Sequence, residues 1–233
     1  FRLFFAGLFF CFEIGQALGQ LPAAQMTAVF PLGCQVGKET EVQVHGGDLE
    51  GAAELRFTHP GITAELTNTA ERKFKVRVAA NVPSAVYEVR FAGALGLSNS
   101  RLFAVGSLKE SRSPSGNTSM KTAEALGDDS VVNGVCVVRL SSWFQVKAKK
   151  GQRLLLRISA KSLDSRMSPV MLLRSGAGER LARTNADGLI DFTAPSNGNY
   201  LIQVHDEIFR GGKEFFFRFQ HNLYCVIDIG LLF

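Results

Sequence analysis

Thr40-Glu41-Val42-Gln43-Val44-His45 decides the fold. Apolar and polar residues alternate strictly here, so Val42 and Val44 share one face while Glu41, Gln43 and His45 take the other, the period of a half-buried strand. The period returns in Glu54-Leu55-Arg56-Phe57-Thr58, in Lys73-Phe74-Lys75-Val76-Arg77-Val78 and in Val86-Tyr87-Glu88-Val89-Arg90-Phe91. Gly46-Gly47-Asp48, His59-Pro60-Gly61 and Asn81-Val82-Pro83-Ser84 separate these runs and supply turn chemistry. Strands about ten residues apart with such breaks predict an antiparallel sandwich, and no segment before residue 106 carries a helical stripe.

Composition shifts most sharply over residues 106–119, Gly-Ser-Leu-Lys-Glu-Ser-Arg-Ser-Pro-Ser-Gly-Asn-Thr-Ser, which hold one large apolar residue. We read residues 107–119 as a linker between domains. Met120 to Leu126 has the pattern of one or two helical turns, after which strands resume. They are predicted over 135–140, 143–148, 153–160, 169–174, 188–192, 200–205 and 214–219, with turns at Lys150-Gly151, Ser175-Gly176-Ala177-Gly178, Ser196-Asn197-Gly198 and Arg210-Gly211-Gly212. The whole chain is therefore expected to be all-β, with two β-sandwich domains.

The first segment reads as a targeting signal. Arg2 is followed by ten apolar residues, Leu3 to Phe12, too few for a membrane-spanning helix of about 20 but suited to a secretory signal. Ala17-Leu18-Gly19 supplies a small-x-small cleavage pattern, so residues 1–19 are assigned to the signal peptide with cleavage before Gln20. No lipobox precedes Cys11. The implied localisation is secreted, periplasmic or cell surface, with no stable membrane insertion after signal cleavage.

The chain of 233 residues has 46% hydrophobic and 20% charged residues, which excludes disorder. Its formal charge is +5, yet the basic residues are scattered apart from Lys147, Lys149 and Lys150, so no nucleic-acid partner is expected. Loss of Arg2 and Glu13 with the signal leaves that charge unchanged. Cys34, Cys136 and Cys225 then remain, without a Cys-x-x-Cys spacing; Cys34 and Cys136 are read as buried small residues, and one disulfide is possible in an oxidising compartment.

Two resemblances follow from particular residues. Phe30-Pro31-Leu32-Gly33-Cys34-Gln35-Val36-Gly37, Glu41 to Gly46, Asp48-Leu49, Gly51-Ala52, Leu55-Arg56-Phe57 and the closing Ser98 to Phe103 resemble TIG/IPT immunoglobulin-like domains over residues 26–106. Cys34 stands where that pattern has Gly. Residues 120–219 are similar to the bacterial pre-peptidase C-terminal domain, a jelly-roll-like sandwich. The matching residues are Val132-Asn133-Gly134, Trp143 to Val146, Ala148 to Gln152, Ser168 to Leu172, Ala177 to Ala182, Asp191 to Tyr200, Leu201 to Val204 and Arg210 to Gly212. Ser142 and Ser168 stand where the family often has Asp. The resemblances imply an immunoglobulin-like sandwich followed by a jelly-roll-like one, the latter with Tyr200 packed inward. Residues 220–233 resemble neither module. A longer multi-domain protein cut or frame-shifted here is one expectation, and a last edge strand the other.

His45, His59, His205 and His221 form no His-Glu-x-x-His set, His45-Gly46-Gly47-Asp48 lacks a nucleophile turn to accompany it, and Ser175 to Gly178 matches no phosphate loop. Asn185, Asp187 and Asp191 offer three oxygen ligands for calcium, although Arg183 occupies the place of the first EF-hand carboxylate. No other cofactor is indicated. The leading expectation is a non-catalytic secreted or cell-surface protein acting as an adhesion, substrate-binding or spacer module. Tyr87 and Arg157 are candidate contacts for an extracellular polysaccharide or protein. The alternative is an N-terminal fragment of a secreted peptidase or other hydrolase whose catalytic domain is missing from this chain.

Overall fold

The computed structural model describes residues 22–51, 54–127 and 129–222. The signal segment, Cys225 and residues 223–233 of the tail lie outside the described residues.

The first half supplies β1 (Gln25–Phe30), β2 (Gly33–Gln35), β3 (Glu39–Gly47), β4 (Glu54–Phe57), β5 (Ile62–Asn68), β6 (Lys73–Val78), β7 (Ala85–Gly93), β8 (Gly96–Leu97) and β9 (Arg101–Gly106). One sheet runs β1-β3-β6-β5 and the other β2-β9-β7-β4, with β8 pairing β7. Lettered along the chain, with β8 set aside, these are A-B-E-D and A′-G-F-C, the immunoglobulin strand order. The alternation of the sequence is realised: Val42 and Val44 of β3 are buried with Phe74 and Val76 of β6, against Val89, Phe91 and Phe103 of the opposite sheet. Phe74 meets Phe91 edge-on at 6.4 Å. The hydroxyl of Tyr87 donates to Pro83 O at 2.8 Å, tying the start of β7 to the preceding corner as in immunoglobulin folds.

The second half supplies β10 (Lys109–Arg112), β11 (Glu124–Ala125), β12 (Ser130–Val135), β13 (Ser142–Ala148), β14 (Arg153–Ser159), β15 (Pro169–Ser175), β16 (Arg180–Arg183), β17 (Leu189–Thr193), β18 (Gly198–Asp206) and β19 (Phe216–Asn222). The sheets are β10-β12-β19-β14-β17 and β11-β13-β18-β15-β16. With β12 to β19 lettered B to I, they read B-I-D-G and C-H-E-F, the jelly-roll order. β10 and β11 add parallel outer strands. Phe144 packs against Phe217 and Phe219 at 6.4 and 5.7 Å in the core between the sheets. Gly134 is opposite Phe217, and a Cβ there would lie 2.2 Å from the ring, so the glycine makes room for the aromatic core. Tyr200 is buried, its hydroxyl donating to Ser196 O at 2.8 Å.

Several segments differ from the sequence reading; β5, β16 and most of β12 lie outside the expected strands, and β19 runs to Asn222, past the boundary at 219. Of residues 135–140 only Val135 is in a strand. β12 ends at Val135 because the Cys136 N–H donates to Phe215 O and its carbonyl accepts from the Gly212 N–H, so the returning loop takes the place of the ladder. Met120–Thr122 is a single 3₁₀ turn, and Glu124–Ala125 joins β13 as β11 in place of a second helical turn. Lys109–Arg112, within the stretch read as linker, pairs with β12.

The two sandwiches share a third apolar cluster of Ala28, Leu32, Ala104, Leu163 and Phe216. Polar bonds cross the same junction. The Leu32 N–H donates to Asn133 Oδ1 at 3.1 Å, and the Leu102 N–H to Asp164 Oδ2 at 2.9 Å. Glu110 accepts from Arg218 at 2.6 Å and from Asn133 Nδ2 at 2.8 Å. The side chains of Arg218 and Glu110 are only 10% and 9% exposed, so each charge depends on the other. Arg218→Met alone is expected to lower the unfolding free energy by about 3 kcal/mol, and adding Glu110→Met to restore most of it. Urea unfolding followed by the fluorescence of Trp143 reads both variants, and equal losses in the two would contradict this.

Candidate functional site

The jelly-roll order brings four loops to one end of the second sandwich. β12, β14, β16 and β18 all end there, at Val135, Ser159, Arg183 and Asp206, and β13, β15, β17 and β19 leave from it. The loops are residues 136–141, 160–168, 184–188 and 207–215.

Asp206 organises this end. Its side chain is 0% exposed, and its carboxylate accepts from the N–H groups of Ser168, Ile208 and Arg210 at 2.8, 3.2 and 3.1 Å. The Arg210 guanidinium adds two bonds at 2.9 and 3.0 Å and reaches Ser168 Oγ at 3.4 Å. Burial pushes the Asp206 carboxyl up, but the bonds from Arg210, Ser168 and Ile208 outweigh it and hold the group at about 2. The Ser168 N–H thus binds the acid at the end of β18.

The loop that Asp206 pins is bonded to the loop after β12. The Arg139 N–H donates to Phe209 O at 2.9 Å, and the Gly212 N–H to Cys136 O at 2.9 Å. A Cβ on Gly211 would fall 2.4 Å from Val138 N, so the contact requires glycine. The pair of loops presents Val137, Val138, Leu140, Ile208 and Phe209 at 56%, 56%, 42%, 69% and 40% exposure. Phe209 stacks on His205 at 4.3 Å with an interplanar angle of 3°. Arg139 and Phe209 both hold positive φ, at 63° and 58°. Each costs about 1 kcal/mol or more in a residue with a Cβ, and a bulky aromatic residue there is an outlier. Buried bonds therefore hold two strained loops that display apolar side chains to solvent, the reverse of what stability alone selects.

Behind Glu207 a groove of about 560 Å³ runs between Lys161, Ser162, Pro169, Arg183 and Asn185. The calcium candidates fall partly on its wall. Asn185 and Asp187 are neighbours, Nδ2 to Oδ2 3.5 Å, but Asn185 Oδ1 already accepts from the N–H groups of Asp187 and Leu189. Asp191 sits on β17 and binds Arg153 Nε at 2.7 Å, and this guanidinium holds its carboxyl below the usual range. Among the described residues no three His, Cys, Asp or Glu side chains gather to hold a metal ion.

The remaining candidates have local roles. Tyr87 is half-buried, packed edge-on against His59 at 5.3 Å. Arg157 is half-buried between Leu189 and Gln220 of the flanking strands. His59 Nδ1 accepts from the Gly61 N–H at 3.0 Å, and burial, with Lys213 and Arg72 nearby, holds His45 below its usual pKa. Burial pushes the thiols of Cys34 and Cys136 to about 12, so both are neutral; both are free. The apolar loop pair is not legible by period, because Val137 to Leu140 continue the apolar run that the sequence reads as a strand. The available signal was Ile208-Phe209, two large apolar residues between Asp206-Glu207 and Arg210-Gly211-Gly212.

Because the Asp206 pKa is depressed on folding, its stabilisation is complete above about pH 4 and is lost as pH falls toward 2. Asp206→Asn is expected to cost about 2 kcal/mol at pH 7 and almost nothing at pH 2. Urea unfolding at the two pH values checks it, and a difference independent of pH would contradict it.

No family model matches the chain, and no curated protein does. Among solved structures it is similar to the periplasmic inhibitor of g-type lysozyme from Aeromonas hydrophila, at 17% identity and TM-score 0.37, over 50% of this chain and 98% of that one. It is similar to the pre-peptidase C-terminal domain of collagenase from Bacillus anthracis, at 12% identity and TM-score 0.36, over 43% and 94% of the two chains. A third is SGBP-B of the Bacteroides ovatus mixed-linkage glucan utilization locus, in complex with a heptasaccharide, at 11% identity and TM-score 0.30, over 86% and 74%. At these values the likenesses assign neither an activity nor a ligand. Among the described residues no helix is long and apolar enough to cross a membrane.

Proposed function

We propose that the chain is a non-catalytic exported protein that binds an extracellular partner through the apolar loop pair of its second sandwich. One observation carries this: Val137, Val138, Leu140, Ile208 and Phe209 are exposed on loops that are strained yet bonded to each other and to buried Asp206. Aliphatic side chains gain little from sugar hydroxyls and much from apolar protein surface, so the partner of this loop pair is a protein. Within this reading the first sandwich is a TIG/IPT-like module and the second a pre-peptidase C-terminal-like module. The A-B-E-D with A′-G-F-C order and the B-I-D-G with C-H-E-F order support the two assignments.

Arrays of extracellular proteins and polysaccharides test the proposal with the full chain. Binding to a protein is expected, and Val138→Ser with Ile208→Ser is expected to weaken it at least tenfold. Both side chains are exposed, so stability should change by no more than about 0.5 kcal/mol. Uniformly negative arrays would reduce the chain to a spacer, and undiminished binding by the double variant would remove the loop pair from the interface.

Calcium belongs to the proposal only at the loop of Asn185 and Asp187, where it would have to draw Asp191 away from Arg153. If the ion is held there, calorimetric titration gives heat and a raised Tm, both abolished by Asp187→Ala. Absence of heat with an unchanged Tm removes calcium from the reading.

A further inference from the structure

The junction of the sandwiches encloses a second cleft, of about 570 Å³, where β2 and β10, each the outer strand of its sheet, face one another. Its charged lining is Lys38, Glu39, Lys109, Glu110 and Arg112. Both carboxylates are committed to cations outside the lining. Glu39 pairs with Arg77 at 3.2 Å and Lys75 at 3.4 Å, and Glu110 with Arg218 at 2.6 Å. Among the described residues, no carboxylate comes within 4.0 Å of Lys38, Lys109 or Arg112. Arg112 instead donates to the carbonyl of Glu41 and lies over the ring of Phe30, 5.8 Å from its centroid, which positions the guanidinium without neutralising it. Cys34, buried against the cleft, is neutral and adds no charge, so with Glu39 and Glu110 each paired to cations outside the lining the cleft keeps an excess of positive charge. Uncompensated charge of one sign in a concavity concentrates ligands of the opposite sign.

The shape and the neutral groups narrow the ligand. Cα atoms of β2 and β10 come within 8 Å of each other. A peptide strand inserted between them would need two spacings of about 4.8 Å, so strand addition there is excluded. Gln35 Nε2 and Ser111 Oγ donate to the carbonyls of Ser107 and Val131, which leaves the Gln35 amide oxygen and the hydroxyl oxygens of Thr40 and Ser111 beside the cations as acceptors for sugar hydroxyls. We infer that the cleft binds an acidic polysaccharide, holding a uronate carboxylate or a sugar sulfate among Lys38, Lys109 and Arg112. The site is separate from the apolar loop pair, and only the setting in which it meets its ligand rests on the exported reading.

Calorimetric titration of the full chain with oligogalacturonate and with a sulfated carrageenan oligosaccharide tests this, with neutral dextran and polyglutamate for comparison. At least one acidic oligosaccharide is expected to bind, more weakly as salt is raised. The affinity should fall at least tenfold in Lys38→Ala with Lys109→Ala and less than twofold in Lys149→Ala with Lys150→Ala, which removes the same charge from another exposed site. The uronate and the sulfate arms distinguish the two sources of the anion. The inference is overturned if neither acidic sugar binds, if both double variants lose affinity equally, or if dextran or polyglutamate binds as tightly. Val138→Ser with Ile208→Ser should leave this binding intact, so loss of the loop-pair reading and loss of this one are told apart.

Discussion

Glu110 fixes the side of the second sandwich that meets the first. Its carboxylate holds Arg218 of β19 and the amide of Asn133 on β12, and the other end of that amide accepts the Leu32 N–H from the first sandwich. One acidic side chain on β10 therefore ties three strands of one sheet together, and Asn133 carries the connection across the apolar junction to Leu32. A buried charge is tolerable only when it is paired, and Arg218 and Glu110 pair with each other, so removing either leaves the other uncompensated. The cluster of Ala28, Leu32, Ala104, Leu163 and Phe216 supplies the non-directional burial, and the Glu110 network supplies the register.

Asp206 does the same at the far end of β18, with a different result. Its bonds to Ser168, Ile208 and Arg210 stabilise a loop whose side chains are then left in water. Fixing such a loop has an entropic cost, and the positive φ of Phe209 adds to it. Loops shaped only by stability would place Gly or Asn at these angles and polar residues at these exposures. The apolar display is therefore better explained by what it touches than by what it supports.

The sequence was most legible where one face of a strand is buried. In Lys73–Val78 alternation alone located β6 to the residue, because Phe74, Val76 and Val78 all enter the core. Val135 to Leu140 shows the limit, since an apolar run can belong to a strand or to a surface, and the bonds that ended β12 come from residues some 75 positions away. Lys109–Arg112 shows the opposite failure. A polar edge strand held by its backbone ladder and the Glu110 carboxylate, without apolar side chains, has no hydrophobic period, so its composition resembles a linker. The charged cleft was illegible for the same reason: it depends on which carboxylates are already paired, and Arg77, Lys75 and Arg218 come from elements distant in the chain from Lys109 and Arg112.

The joint and the cleft are consequences of one another. Lys38 belongs to the first sandwich and Lys109 and Arg112 to the second, so the spacing of the three cations is set by the junction itself. A flexible joint would let like charges separate and would have to bring them together when an anion bound, at the expense of affinity. Here Arg218 and Asn133 hold β10 from one side, and Arg112 reaches the Glu41 carbonyl of β3 from the other. The repulsion among the cations is carried by the folded protein before any ligand arrives, and an anion relieves it on entry. The same bonds that make the two sandwiches one body thus preorganise a positive cleft between them.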